Sequence, residues 1–128
     1  MEKLILKSEK DIESIEWIKL PFSGCTIRIL ERNEETGACG VLFKMEPGAE
    51  SPREQGHPST EQIMSLEGEV EINGKKYGPG SYLYIPPTIK HGPFKAGVNG
   101  WTAFCAFDAA EKISFLSSLR AFSQLSIY

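Results

Sequence analysis

What this chain has little of narrows it before any motif is read. No apolar run approaches the roughly 18 residues that cross a bilayer, and behind Met1, Glu2 and Lys3 only Leu4, Ile5 and Leu6 are apolar in succession. Neither a membrane span nor a signal peptide is expected, and the chain reads as cytoplasmic. Positive charge is in short supply: 14 Lys plus Arg face 17 Asp plus Glu, a net charge of -3. Affinity for nucleic acid comes largely from neutralising phosphates, so DNA and RNA are poor candidates as partners. The three cysteines, Cys25, Cys39 and Cys105, are odd in number and form no CxxC pair, which argues against a disulfide framework and a zinc knuckle and for buried free thiols. Repeats, low-complexity tracts and linkers are missing too, so residues 1–128 are read as one domain. A domain of this size holds a core without a structural metal, and a metal, if it binds one, serves function.

What is present are short segments rich in Val, Ile, Phe and Tyr between turn signals, the rhythm of antiparallel strands. Cys39, Val41, Phe43 and Met45 fall on one face of a period-two segment, with Gly40, Leu42 and Lys44 on the other. Asn73-Gly74 is the strongest turn signal, since a two-residue hairpin turn of type I′ needs positive φ at both central positions. Ser81 to Ile85 reads as a strand that stops at Pro86-Pro87, because proline has no backbone donor. Glu61 to Ile72 reads as two strands joined at Glu67-Gly68. An alternative makes Ser59, Gln62, Ile63, Leu66 and Gly68 a short capped helix. Near the N-terminus, Ile12, Ile15 and Ile18 fit a helix capped by Ser8, whereas Ser14 to Leu20 fit an edge strand. The strand is preferred, since Ile and Trp favour strands and Pro21 holds Leu20 extended. At the other end, Asp108 and Glu111 form a capping-box-like pair ahead of Phe115, Leu119 and Phe122, predicting a helix over about 109–123.

The only two histidines, His57 and His91, sit in Pro- and Gly-flanked stretches beside predicted strands. If the fold brings these stretches together, His57, Glu61 and His91 supply two imidazoles and a carboxylate. Such a set occupies one face of a metal and leaves positions open for water, oxygen or substrate, as in non-haem iron oxygenases. The competing reading leaves both histidines on the surface with local hydrogen bonds.

The stretch from Gly48 to Pro93 resembles the two signature motifs of the cupin superfamily. In the first, His57, Glu61 and Gly68 match the second histidine, the glutamate and the closing glycine. In the second, Gly80, Pro86 and His91 match at the family spacing. The departures are Gln55 for the first histidine, six rather than five residues between Gly48 and Gln55, Thr88 for a glycine, and Lys95 for a frequent asparagine. The resemblance implies an all-β, single-domain RmlC-like double-stranded barrel, or jelly roll, with motif core 48–93 and the C-terminal helix appended. Within the superfamily the chain is most similar to ChrR-type anti-sigma-factor cupin domains and dihydroxyacetophenone dioxygenase-like cupins.

It further implies a divalent metal (Fe, Zn, Mn or Ni) on His57, Glu61 and His91, with Gln55 as a weaker fourth donor, and a small cavity. Arg53, Tyr82, Tyr84 and Trp101 are candidates for contact with a small-molecule substrate or ligand. The implied activity is oxygenase chemistry on a small aromatic or dicarbonyl compound. The alternatives are a non-enzymatic sensory or binding module, and an oligomeric fold that has lost its metal. A homodimer is expected, since open sheet edges invite pairing.

Overall fold

The computed structural model describes residues 3–52 and 59–108. Ser8 opens a single helical turn, α1 (Glu9–Glu13), through a reciprocal capping box: its side chain accepts from the Asp11 amide while the Asp11 carboxylate accepts from the Ser8 amide. Seven strands follow among the described residues: β1 (Ile18–Lys19), β2 (Cys25–Arg32), β3 (Cys39–Met45), β4 (Glu61–Ile72), β5 (Lys75–Tyr77), β6 (Tyr82–Ile85) and β7 (Phe94–Phe107). The preferred N-terminal edge strand is thus realised over only two residues, and the capped helix precedes it. Arg28 explains the arrangement: its guanidinium donates to the Ile15 carbonyl at 2.8 Å and lies 4.4 Å from the Trp17 ring, pinning the connecting residues across β2.

The strands form one rolled antiparallel sheet in the order β1-β2-β3-β7-β4-β5, with β6 also on β4. Cys39, Val41, Phe43 and Met45 all face inward, as the period of two predicts, and join Ile27, Ile63, Val70, Trp101, Ala103 and Cys105 in one core. The three cysteines are buried and none is in a disulfide. Burial, reinforced by the Glu46 carboxylate, pushes Cys25 up to about 11, and burial with Glu61 and Cys39 raises Cys105 well above 9.0, so these two stay protonated at neutral pH.

Asn73-Gly74 turns the β4-β5 hairpin with φ of 53° and 78°. β6 ends at Ile85, directly before the proline pair. The segment from Glu61 to Ile72 is neither a helix nor two strands. It is one long strand paired with β7 from Glu61↔Phe107 to Ile72↔Phe94, bent by register shifts between Ser65 and Glu67 and between Gly68 and Val70. Glycine punctuates turns, so Gly68 suggests a strand junction. Here it marks the bend instead, at φ 74° against the backbone of Gly100. Ser59 is fully buried rather than an exposed helix cap. The helix expected over about 109–123 lies outside the described residues.

No helix among the described residues is long and apolar enough to cross a membrane.

Candidate metal and ligand site

The inward face of β4 carries Glu61, Ile63 and Ser65 on alternate residues, all buried. Glu61 is only 4% exposed, an unusual place for a carboxylate. The start of this strand is held from the far end of the fold: the Asp108 carboxylate accepts from the Thr60 amide at 3.0 Å, tying the entry of β4 to the exit of β7. No local signal marks this contact, because its partners are 48 residues apart.

His91 approaches the same point from the loop after β6. Its Nε2 stands 3.5 Å from Glu61 Oε1, with both side chains largely buried. The other ring nitrogen, Nδ1, lies 3.1 Å from the Ile89 carbonyl oxygen. A carbonyl only accepts, so Nδ1 carries the hydrogen and donates. That turns Nε2, a lone-pair donor in the neutral ring, toward a carboxylate oxygen. Two such atoms face each other stably only across a proton or a cation.

The loop that presents His91 turns at Pro86 to Ile89, where the Ile89 amide reaches the Pro86 carbonyl at 3.5 Å. Thr88 stands at φ 69°, the conformation that the third position of a type II turn requires and that glycine favours. This is the position at which the family motif has glycine. A β-branched residue held there costs roughly 1–2 kcal/mol, part of which a glycine returns to the unfolded chain as entropy. Thr88→Gly is therefore expected to raise stability by about 0.5–1 kcal/mol, read as a higher urea midpoint at unchanged slope. A lowered midpoint would show that the threonine side chain supports the loop.

Glu61 and His91 line a cavity with about 30 Å³ of room for a water-sized sphere, enough for an ion and one or two waters. Phe22, Phe43, Ile63, Phe94, Trp101 and Cys105 make its walls largely apolar. The Trp101 ring is fixed edge-on to Phe94 at 6.0 Å between centroids, and its indole N–H donates to Ser65 Oγ at 2.9 Å.

Of the expected contact residues, Trp101 thus lies at this cavity. Tyr82 and Tyr84 do not: they are 55% and 52% exposed, and Tyr82 donates to Gln62 Oε1 at 2.8 Å on the outer face. Their pairing opposite Met64 and Gln62 places them there, since the residues between these on β4 are the inward ones. Arg53, Gln55 and His57 lie outside the described residues. Sequence reasoning passed over Phe22, Phe94 and Cys105, whose residue types carry no chemical signal and whose places depend on strand register.

Among the described residues no three His, Cys, Asp or Glu side chains surround a common point.

A family model for the ChrR cupin-like domain matches residues 8–111. No curated protein matches the chain. Among solved structures, an RmlC-like cupin from Shewanella frigidimarina superposes with a TM-score of 0.66 at 22% identity, covering 86% of this chain and 96% of that one. A chain in the Rhodobacter sphaeroides complex of SigE with the anti-sigma ChrR gives 0.64 at 23% identity over 76% of this chain and 51% of that one. An acetylacetone dioxygenase from Acinetobacter johnsonii gives 0.63 at 18% identity over 86% and 75%. At these identities the likenesses speak for the fold.

Proposed function

This chain belongs to the ChrR cupin-like domain family, and we propose that its Glu61–His91 cavity binds one divalent metal ion and serves an oxygenase-type reaction on a small aromatic or dicarbonyl compound. The observation that carries the reading is the opposition of His91 Nε2 and Glu61 Oε1 at 3.5 Å. Two donors that share an ion at roughly 2.1 Å each stand about 3.0–3.4 Å apart, so the pair fits a common cation with little adjustment. Further ligands have to come from residues 53–58, where the family motif assigns His57 and, by position, Gln55. A set of two imidazoles, one carboxylate and a neutral amide can take Fe, Mn, Zn or Ni, with the amide the weakest donor.

A metal held there supplies Lewis acidity, or dioxygen activation if it is iron. The protein contributes the rest. The Ile89 carbonyl keeps the His91 ring in its tautomer, Glu61 brings negative charge into an apolar enclosure, and Phe94, Ile63 and Trp101 limit water. By its place in the family motif, Gln55 would supply an amide hydrogen bond to the substrate where it does not ligate. The homodimer belongs to the same proposal, since among the described residues β1 and β5 end the sheet order and sheet edges invite pairing.

A second reading, a sensory module that binds a metal or ligand without turnover, is favoured by the small room beside Glu61 and by the ChrR-like character of the family. Elemental analysis of protein grown with Fe, Mn, Zn and Ni supplied is expected to find close to one divalent metal per chain. Metal-free protein under these conditions would sink the enzyme reading and leave the sensor only as a binder of organic ligands. Oxygen uptake against small phenols and diketones then separates them: turnover supports the enzyme, and a ligand that raises Tm without being consumed supports the sensor.

A further inference from the structure

The barrel holds a second, larger chamber for which the metal reading has no use. It offers about 180 Å³ of room, against about 30 Å³ beside Glu61. It lies where the side of β4 away from β7 changes partner, between the stretch Glu61–Met64 that pairs with β6 and the stretch Val70–Ile72 that pairs with β5. Ile63 and Trp101 line both cavities and so form the partition between them. On the far side of this partition Val70, Tyr77 and Leu83 provide an apolar lining. Among the described residues no Lys, Arg, His, Asp or Glu lines it.

One polar group in this lining is unusual. Ser65 is 5% exposed and borders this chamber and not that of Glu61. Its Oγ accepts from the Trp101 indole N–H at 2.9 Å. A hydroxyl has one proton to give and two lone pairs to receive with. Among the described residues that proton is donated to no protein acceptor, although a buried donor without an acceptor is costly. Trp101 orients the hydroxyl by occupying a lone pair, which leaves the proton for whatever fills the chamber.

We propose that this chamber is a binding site for a small neutral molecule with a ring-sized hydrocarbon body and a single hydrogen-bond acceptor, a ketone or ether oxygen, which takes the Ser65 proton. The size follows from comparison: an engineered apolar cavity of about 150 Å³ admits benzene, so a six-membered ring with a small substituent fits here. The absence of a charged group in the lining excludes ions, which pay desolvation with nothing to offset it. Exposed Asn73 and Tyr82 form the rim through which such a ligand enters. The site is independent of any metal at Glu61 and His91.

The test is a titration of the full-length protein with cyclohexanone, followed by the two tryptophan indole N–H resonances in ¹H–¹⁵N spectra, with Trp17→Phe assigning them. The expected result is a saturable shift of the Trp101 resonance alone, with no saturable shift from cyclohexylammonium, which has the same ring and a charge. Ser65→Ala is expected to weaken binding about tenfold, the worth of one hydrogen bond. Leu83→Trp, which fills the chamber, is expected to abolish it, and His91→Ala to leave it intact. Should Leu83→Trp fail to fold, Ser65→Ala carries the same test, since it removes one oxygen atom only. No saturable shift in the parent protein, equal affinity in Ser65→Ala, or loss of binding in His91→Ala would each overturn the proposal.

Discussion

Gly68→Ala is expected to destabilise the protein by about 3–5 kcal/mol, a large part of the roughly 5–15 kcal/mol that holds a domain of this size together. Two costs combine. At φ 74° any L side chain is strained by about 1–2 kcal/mol. The added Cβ also lands 2.0 Å from the Gly100 carbonyl oxygen and 2.7 Å from its carbon. These are backbone atoms, so no rotamer change relieves the overlap, and β4 and β7 have to part at the bend that lets one strand serve both ends of the barrel. Gly74→Ala separates the two costs, since φ is 78° there and nothing lies within 4 Å of the new methyl. It is expected to lose only about 1 kcal/mol. Urea unfolding followed by tryptophan fluorescence measures both, and a Gly68→Ala loss no larger than that of Gly74→Ala would show that the strands do not meet as described.

The second large effect concerns the metal. His91→Ala and Glu61→Gln are each expected to weaken metal binding about a hundredfold or more, given that even residues behind the ligands are worth ten- to a hundredfold. Glu61→Gln is the sharper probe. It keeps the volume of a side chain that the cavity walls enclose while removing the charge that faces His91 Nε2. Tyr84→Phe, on the outer face, is expected to change nothing. The readout is metal retained after dialysis against a chelator of graded affinity, and full occupancy in either site variant would remove these residues from the ligand set.

Both predictions depend on how distant segments meet, and here local and long-range information part. The inward alternation of Cys39 to Met45 was legible because a strand repeats every two residues whatever it pairs with. The Asn73-Gly74 turn and the stop of β6 at Pro86 were legible for a similar reason: positive φ and a missing donor are properties of the residues themselves. Glu61 and His91 were identifiable as chemical types at motif spacing. Local preference misled where tertiary contacts outweighed it. Glu67-Gly68 looks like a junction between two strands, yet β4 runs through it paired with β7. Tyr82 and Tyr84 were rightly placed on a common face, yet periodicity does not say which face turns inward.

The amino-acid sequence by itself determined the alternation of Cys39 to Met45, the Asn73-Gly74 turn, the stop of β6 and the chemical identity of a carboxylate and an imidazole, because these depend on dihedral preferences and side-chain types within a few residues. Tertiary structure alone decided that β4 bends as one strand around Gly100, that His91 Nε2 meets Glu61, and that Ser65 turns its hydroxyl to Trp101. Those contacts join residues 30 or more positions apart, and their geometry is set by pairing register and bulges, which arise only when β4 and β7 lie side by side.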